Sequence, residues 1–231
     1  MAAAQLVEAA KALRGIEDRT GTCIHLDLEP EPGCVLDTSR DVVDLFETAF
    51  RPSDDVDHRR YLRVCHDVCH AAVMFEPQTA ALRNYREHEI EVGKIQVSSA
   101  IEIDFDAIDD EDERNRTLAA YRDFIEPRYL HQTTVRFGDE SSRDVEFFEV
   151  LGTAISNRAE DRIPAGTWRT HFHVPIFTQG MNGWSSTRPE IERCLASFPS
   201  DRPLPTIEVE TYAWDVLPNC LYAGDEGLAS G

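Results

Sequence analysis

Tyr61-Leu-Arg-Val-Cys-His-Asp-Val-Cys-His70 decides the fold. Leu62 and Val64 alternate with Arg63, Cys65 and Asp67, which predicts a strand over 61–67 running straight into a polar site. Asp67 and His70 sit three apart, where the strand should give way to a helix. A carboxylate and an imidazole delivered from one strand end suit a divalent metal such as manganese, zinc or iron. Cys65 and Cys69 flank Asp67, but a site that already holds Asp and His suits a hard or borderline ion better than a thiolate-bound one.

Working outward, other segments share this form. Cys23-Ile-His-Leu-Asp-Leu-Glu29 alternates strictly, with Ile24, Leu26 and Leu28 on one face and His25, Asp27 and Glu29 on the other. Pro30-Glu-Pro-Gly33 stops it and leaves Glu29 at the strand end. Val92-Gly-Lys-Ile-Gln-Val-Ser98 puts Lys94, Gln96 and Ser98 on one face. Tyr129 to Arg136 and Trp168-Arg-Thr-His-Phe-His-Val-Pro175 read as strands, and His171 and His173 share a face of the second. The last strand spans Thr206 to Asp215, with Glu208, Glu210 and Tyr212 together. Two glutamates inside a sheet are costly unless paired, protonated or on a metal.

Helical periods lie between these strands. They cover 4–19, about 40–50 behind Ser39 as a cap, 77–87, 114–125 and 145–157. A short helix to about Phe198 follows a capping box, Thr187-x-x-Glu190. Arg51 to Arg60, the acidic run Asp104 to Glu113, Gly138 to Ser142 and Gln179 to Gly183 read as loops, turns or a helix start. Strands separated by helices imply parallel pairing, and catalytic groups then gather at the C-terminal strand ends. The expected fold is α/β, the metal-bearing side of an incomplete (β/α)₈ barrel.

With 231 residues and 42% apolar content, one domain of ordinary core density is expected. The start has a helix pattern rather than a signal peptide, and no run is long enough to span a membrane, so a cytoplasmic protein without membrane insertion is expected. Net charge is −20, and the only lysines are Lys11 and Lys94. Such a surface repels phosphates and argues against nucleic acid as a partner. Arginine in place of lysine fits a salt-adapted source or GC-rich codon use equally. The six cysteines show no disulfide framework spacing and are expected to be reduced.

Several stretches resemble the EboE family of metabolite traffic proteins: Leu28 to Gly33, Val64 to His70, Gly93 to Ser99, Tyr129 to Gln132, His171 to Ile176 and Glu208 to Pro218. That family lies in the xylose-isomerase-like TIM-barrel superfamily, beside sugar epimerases and endonuclease IV. The resemblance covers roughly residues 5 to 218, with a flexible tail over 219–231. It implies metal ligands at Glu29, Asp67, His70, His171, His173 and Glu210. Gln96 stands where relatives carry a ligating histidine, although its oxygen can still ligate. A complete barrel needs about 250 residues. This chain resembles the last four βα units with a β-rich insertion around Tyr129. A half barrel leaves two unpaired edges, which predicts a longer native chain, or closure by self-association or by a partner chain.

The resemblance implies a metal-dependent isomerase or epimerase acting on a polyhydroxylated metabolite, a sugar or cyclitol, within a bacterial operon for a specialised metabolite. A metal would stabilise an enediolate, while Glu29 and Glu210 exchange the proton. His70, Lys94, His131 and Arg63 are the candidate substrate-binding residues, Lys94 being equally suited to pair with Asp27. One alternative is a non-catalytic metabolite-binding or accessory protein, which the Gln96 substitution favours. Another is a metal-dependent phosphoesterase or nuclease, which His171 and His173 favour and the acidic surface opposes.

Overall fold

The computed structural model describes residues 2–50, 57–139, 141–142, 144–159, 164–181, 183–198 and 203–210. Its helices are α1 (Ala2–Thr20), α2 (Ser39–Ala49), α3 (His58–Tyr61), α4 (Val68–Val73), α5 (Gln78–Glu87), α6 (Glu111–Tyr121), α7 (Leu151–Ala159) and α8 (Arg188–Ala196). The longer strands are β2 (Leu62–Asp67), β3 (Val92–Val97), β4 (Ser99–Asp104), β5 (Thr133–Arg136), β6 (Val145–Phe148) and β7 (Thr167–Val174). Shorter ones are β1 (Leu26–Leu28), β8 (Gly180–Met181), β9 (Trp184–Ser186) and β10 (Thr206–Val209). The fold is mixed α/β, with one parallel and one antiparallel sheet. It divides into two compact units, Met1–Val97 with Glu190–Val209, and Ser98–Pro189 with Glu210–Gly231.

The first unit holds the parallel sheet, in the order β1-β2-β3-β10. Parallel neighbours need a crossover, and here α2 and α3 link β1 to β2 while α4 and α5 link β2 to β3. Leu62, Val64, Ile95 and Val97 are buried, as expected of alternate positions facing helices. Phe46 and Phe50 of the α2 end meet edge to face at 5.1 Å and are fully buried. Helix α2 starts one residue before the expected Arg40. Asp41 accepts from the Thr38 N–H at 2.8 Å, and Ser39 is buried with its hydroxyl on Glu76.

At the edges of this sheet the expectations need correction. Strand β1 is three residues long, not seven, and Ile24 and Leu26 stay 46% and 41% exposed instead of being covered by helices. Among the described residues β10 forms the other edge, with Ile207 and Val209 also exposed. Glu208 is not interior: its side chain is exposed and pairs with Lys94. Residues 211–215 of the expected last strand, including Tyr212, and the tail over 219–231 lie outside the described residues. So does most of the loop expected over 51–60, but 58–60 belong to α3.

The second unit holds an antiparallel sheet in the order β6-β5-β7-β4-β9-β8. Cross-strand partners Ile103↔Trp168 and Val135↔Trp168 set its register. Its core gathers Ile101, Ile103, Phe105, Phe124, Trp168 and Phe172 among others. Edge-to-face contacts join Phe105 to Trp168 at 5.5 Å and Phe124 to Phe172 at 5.6 Å, the geometry that ring quadrupoles favour.

The β-rich insertion expected around Tyr129 thus takes all of Ser98–Pro189. Strand β4 was not foreseen, and residues 145–148 form a strand instead of opening the helix, which begins at Leu151. The loop expected over 179–183 contributes β8, paired with β9. Gly180 has φ 124, and a Cβ there would lie 2.3 Å from the Trp184 carbonyl oxygen, so only glycine fits. Thr187 accepts from the Ala100 N–H at 2.8 Å, which ties the approach to α8 to strand β4.

Candidate metal centre

In the first unit the site grows from the junction of β2 and α4. Asp67 ends the strand in extended conformation and caps the helix, its Oδ1 accepting from the His70 N–H at 2.8 Å. The same turn places His70 one helical turn on. Asp67 is 2% exposed, and its Oδ2 is buried without a hydrogen-bond partner among the described residues. Buried carboxylate oxygens are almost always satisfied, and leaving one unmade costs about 1–3 kcal/mol or more. A small cavity of about 10 Å³ is lined by Asp67, His66, His70, Glu76 and Tyr85 among others. That is close to the room one water or one bare ion needs.

His70 and Glu29 complete the cluster. His70 Nδ1 lies 2.9 Å from the Pro30 carbonyl oxygen, so Nδ1 carries the ring proton and Nε2 the lone pair. Burial disfavours its charged form, but the Asp67 and Glu29 carboxylates and the Pro30 carbonyl outweigh it and raise its pKa. Glu29 Oε1 lies 3.4 Å from His70 Nδ1. Carboxylate oxygens of Glu29 and Asp67 lie within 4.8 Å of each other. The Glu29 side chain is 34% exposed and is the accessible member of the set.

Gln96, opposite Asp67 in the β2–β3 register, supports Glu29. Its amide nitrogen donates to Glu29 Oε1 at 3.3 Å, and its oxygen accepts from the Cys65 thiol at 2.7 Å. Burial, reinforced by the Glu29 charge, pushes the Cys65 pKa up, so the thiol stays protonated as a donor. In this arrangement Gln96 steers Glu29 and turns its oxygen toward Cys65. The two candidate anion-binding cations are both engaged: Arg63 with Glu91 at 3.2 Å, and Lys94 with Glu208. Lys94 does not pair with Asp27 as the sequence allowed. Asp27 instead meets His25 at 2.7 Å and lies over Gly93, where a Cβ would fall 2.2 Å from Asp27 Oδ1.

The second unit gathers its own imidazoles. His171 and His173 share a face of β7 with Nε2 atoms 2.7 Å apart, and both are buried. Glu210 Oε2 lies 3.8 Å from His173 Nδ1. His131 has an internal role: it stacks on Phe172 at 3.8 Å, and its ring nitrogens face Glu126 Oε1 at 2.9 Å and the His171 carbonyl oxygen at 3.2 Å. Burial pushes the His131 pKa down despite these acceptors. Cys65, Ser98 and Gln132 were not foreseen as partners. Each acts across strands, where sequence carries no local signal.

These donor sets are carboxylate and imidazole, which suits manganese, iron or zinc. No protein-family model, no curated protein and no solved structure matches the chain. No helix among the described residues is long and apolar enough to cross a membrane.

Proposed function

We propose that this protein is a metal-dependent isomerase or epimerase-like protein acting on a sugar or cyclitol in the cytoplasm, as its resemblance to the EboE family implies. The observation that carries the reading is the buried Asp67 Oδ2 without a partner among the described residues, beside Glu29 and His70 at the strand ends. The sequential order β1-β2-β3-β10, all parallel, supports four consecutive βα units of a partial (β/α)₈ barrel. Its open edges would be closed by self-association or by a partner chain.

Asp67 and His70 Nε2 would hold the cation, and Glu29, whose carboxylate lies on the Nδ1 side of the same ring, is the accessible acid–base group beside them. A divalent ion supplies Lewis-acid stabilisation of negative charge developing on neighbouring substrate oxygens. Glu29, oriented by Gln96, is the group placed to take a C–H proton and return it. With Arg63 and Lys94 held by carboxylates, the substrate is a neutral polyol rather than a sugar phosphate. A second reading, metabolite binding without turnover, is favoured by the Gln96 oxygen facing Cys65, which leaves the ion one ligand fewer.

Isothermal titration with Mn²⁺, Zn²⁺ and Fe²⁺ tests the site, and exchange of substrate C–H protons in deuterated water tests the chemistry. The expected result is saturable binding at the Asp67 cluster, lost in Asp67→Asn without loss of apo stability, because the amide keeps the cap and removes a buried charge. Exchange should appear with a sugar or cyclitol and vanish in Glu29→Gln. Binding of a polyol with no exchange under any ion would favour the second reading. No cation binding at all would sink both metal roles.

A further inference from the structure

The histidine pair on β7 is held by partners that ligation alone does not account for. His171 is gripped twice by Gln132. The His171 N–H donates to the Gln132 carbonyl oxygen at 2.8 Å, and His171 Nδ1 lies 2.8 Å from Gln132 Oε1. An amide oxygen only accepts, so the His171 ring proton sits on Nδ1 and the Nε2 lone pair faces His173. His173 Nδ1 lies 2.8 Å from Ser98 Oγ, with Glu210 Oε2 at 3.8 Å. Ser98 is fully buried, and Gln132 is 4% exposed.

The 2.7 Å between the two Nε2 atoms fixes what can happen there. Two lone pairs cannot face each other at that distance. Without an ion, His173 must therefore carry a proton on Nε2 and donate to His171, and when that ring is neutral the Ser98 hydroxyl donates to His173 Nδ1. A hydroxyl can also accept. If the His173 proton moves to Nδ1, the Ser98 oxygen accepts its hydrogen bond, and both Nε2 lone pairs become available to one positive ion. Two nitrogens on one zinc-sized ion stand about 3.0–3.4 Å apart, given bond lengths near 2.0–2.1 Å. The rings need to part by only about half an ångström.

We infer that Gln132 and Ser98 are positioning residues that hold His171 and His173 in the ring-proton arrangement needed for both Nε2 atoms to ligate one borderline divalent cation. Gln132 fixes one ring permanently. Ser98 exchanges donor for acceptor as the ion arrives. The inference rests on the reading that this chain holds a divalent cation, and it adds an imidazole ligand pair in the second unit to the Asp67 cluster of the first. Outer hydrogen bonds of this kind fix ring orientation and raise ligand basicity, and losing one typically costs 10–100-fold in metal affinity.

Cobalt(II) is the probe, added to the full chain and followed by its visible absorption. Gln132→Leu should weaken cobalt binding about 10–100-fold, and Gln132→Glu, which keeps the acceptor, should restore most of it. Nitrogen-15 NMR of the imidazoles gives a readout that needs no activity. His171 should be protonated on Nδ1 with and without Zn²⁺, and His173 should move its proton from Nε2 to Nδ1 when Zn²⁺ is added. If Gln132→Leu does not fold by circular dichroism, Ser98→Ala carries the same test. Unchanged cobalt affinity and spectrum in the variant, or His171 protonated on Nε2 in the wild type, would overturn the inference alone. A wild type that binds no cobalt would overturn the metal reading and this inference with it.

Discussion

Asp67 uses its two carboxylate oxygens differently. Oδ1 starts helix α4, and Oδ2 is left buried without a partner among the described residues. That division was legible in part, because Asp-x-x-His at a strand end fixes a cap and a following imidazole in one turn. The alternation around Asp67 was legible because period-2 spacing assigns faces, whereas around Glu29 it misled, since the strand there spans only Leu26–Leu28 and its apolar face stays exposed. Gln96 was legible only as a position. Its amide direction follows from the Cys65 thiol one strand away, which no spacing rule reveals. Gly93 gives a direct test at this scale. An alanine Cβ would enter the space of the Asp27 carboxylate. Gly93→Ala is expected to cost about 1–3 kcal/mol in chemical denaturation, as overpacking does, and to disturb the His25–Asp27 contact. A neutral result would mean that Asp27 swings away freely.

Helix α1 is joined to α3, just before β2, by one carboxylate. Glu17 receives the Arg60 fork and the Tyr61 hydroxyl, the latter at 2.7 Å. The Arg60 hydrogen bond, followed by that from Tyr61, lowers the Glu17 pKa from 4.5 to about 2. A carboxylate depressed in the fold contributes stability that is present above its unfolded pKa and lost as pH falls through the folded one. The stability gap between wild type and Glu17→Gln should therefore be full above pH 4.5 and close as pH falls toward 2. Thermal unfolding across that range measures it, and a gap constant with pH would show that the contact contributes nothing to the fold. Among the elements, β2, β3 and β7 were legible because each runs six or more residues with clear alternation. Strand β6 was not, because four residues fit a helical and a strand period equally well. Strand β4 was missed because it follows β3 after a single residue, Ser98, and runs into the acidic stretch, so the two strands lack a separating turn signal.

Over the whole chain, 43 acidic residues against 23 basic ones leave a net charge of −20. Such an excess opposes compaction through self-repulsion. Raising sodium chloride from about 0.01 M to 1 M shortens the screening length from about 30 Å to about 3 Å. The melting temperature should rise accordingly, roughly 2–4 °C for each kcal/mol gained. A melting temperature that falls with salt would mean that specific ion pairs outweigh the net repulsion. The parallel sheet has a further consequence, for the order of assembly during synthesis. Strand β3 ends at Val97, and its partner β10 begins only at Thr206. At about 5–20 residues per second, a ribosome needs roughly 5–20 s to make the intervening chain. For that interval β3 presents a bare edge to its surroundings. The antiparallel sheet finishes first: its central strand β4 waits for β7 and β9, but all of its strands precede β10 in the chain. The nascent protein would then need holding at the β3 edge, and slower translation would lengthen the time that edge is open to mispairing.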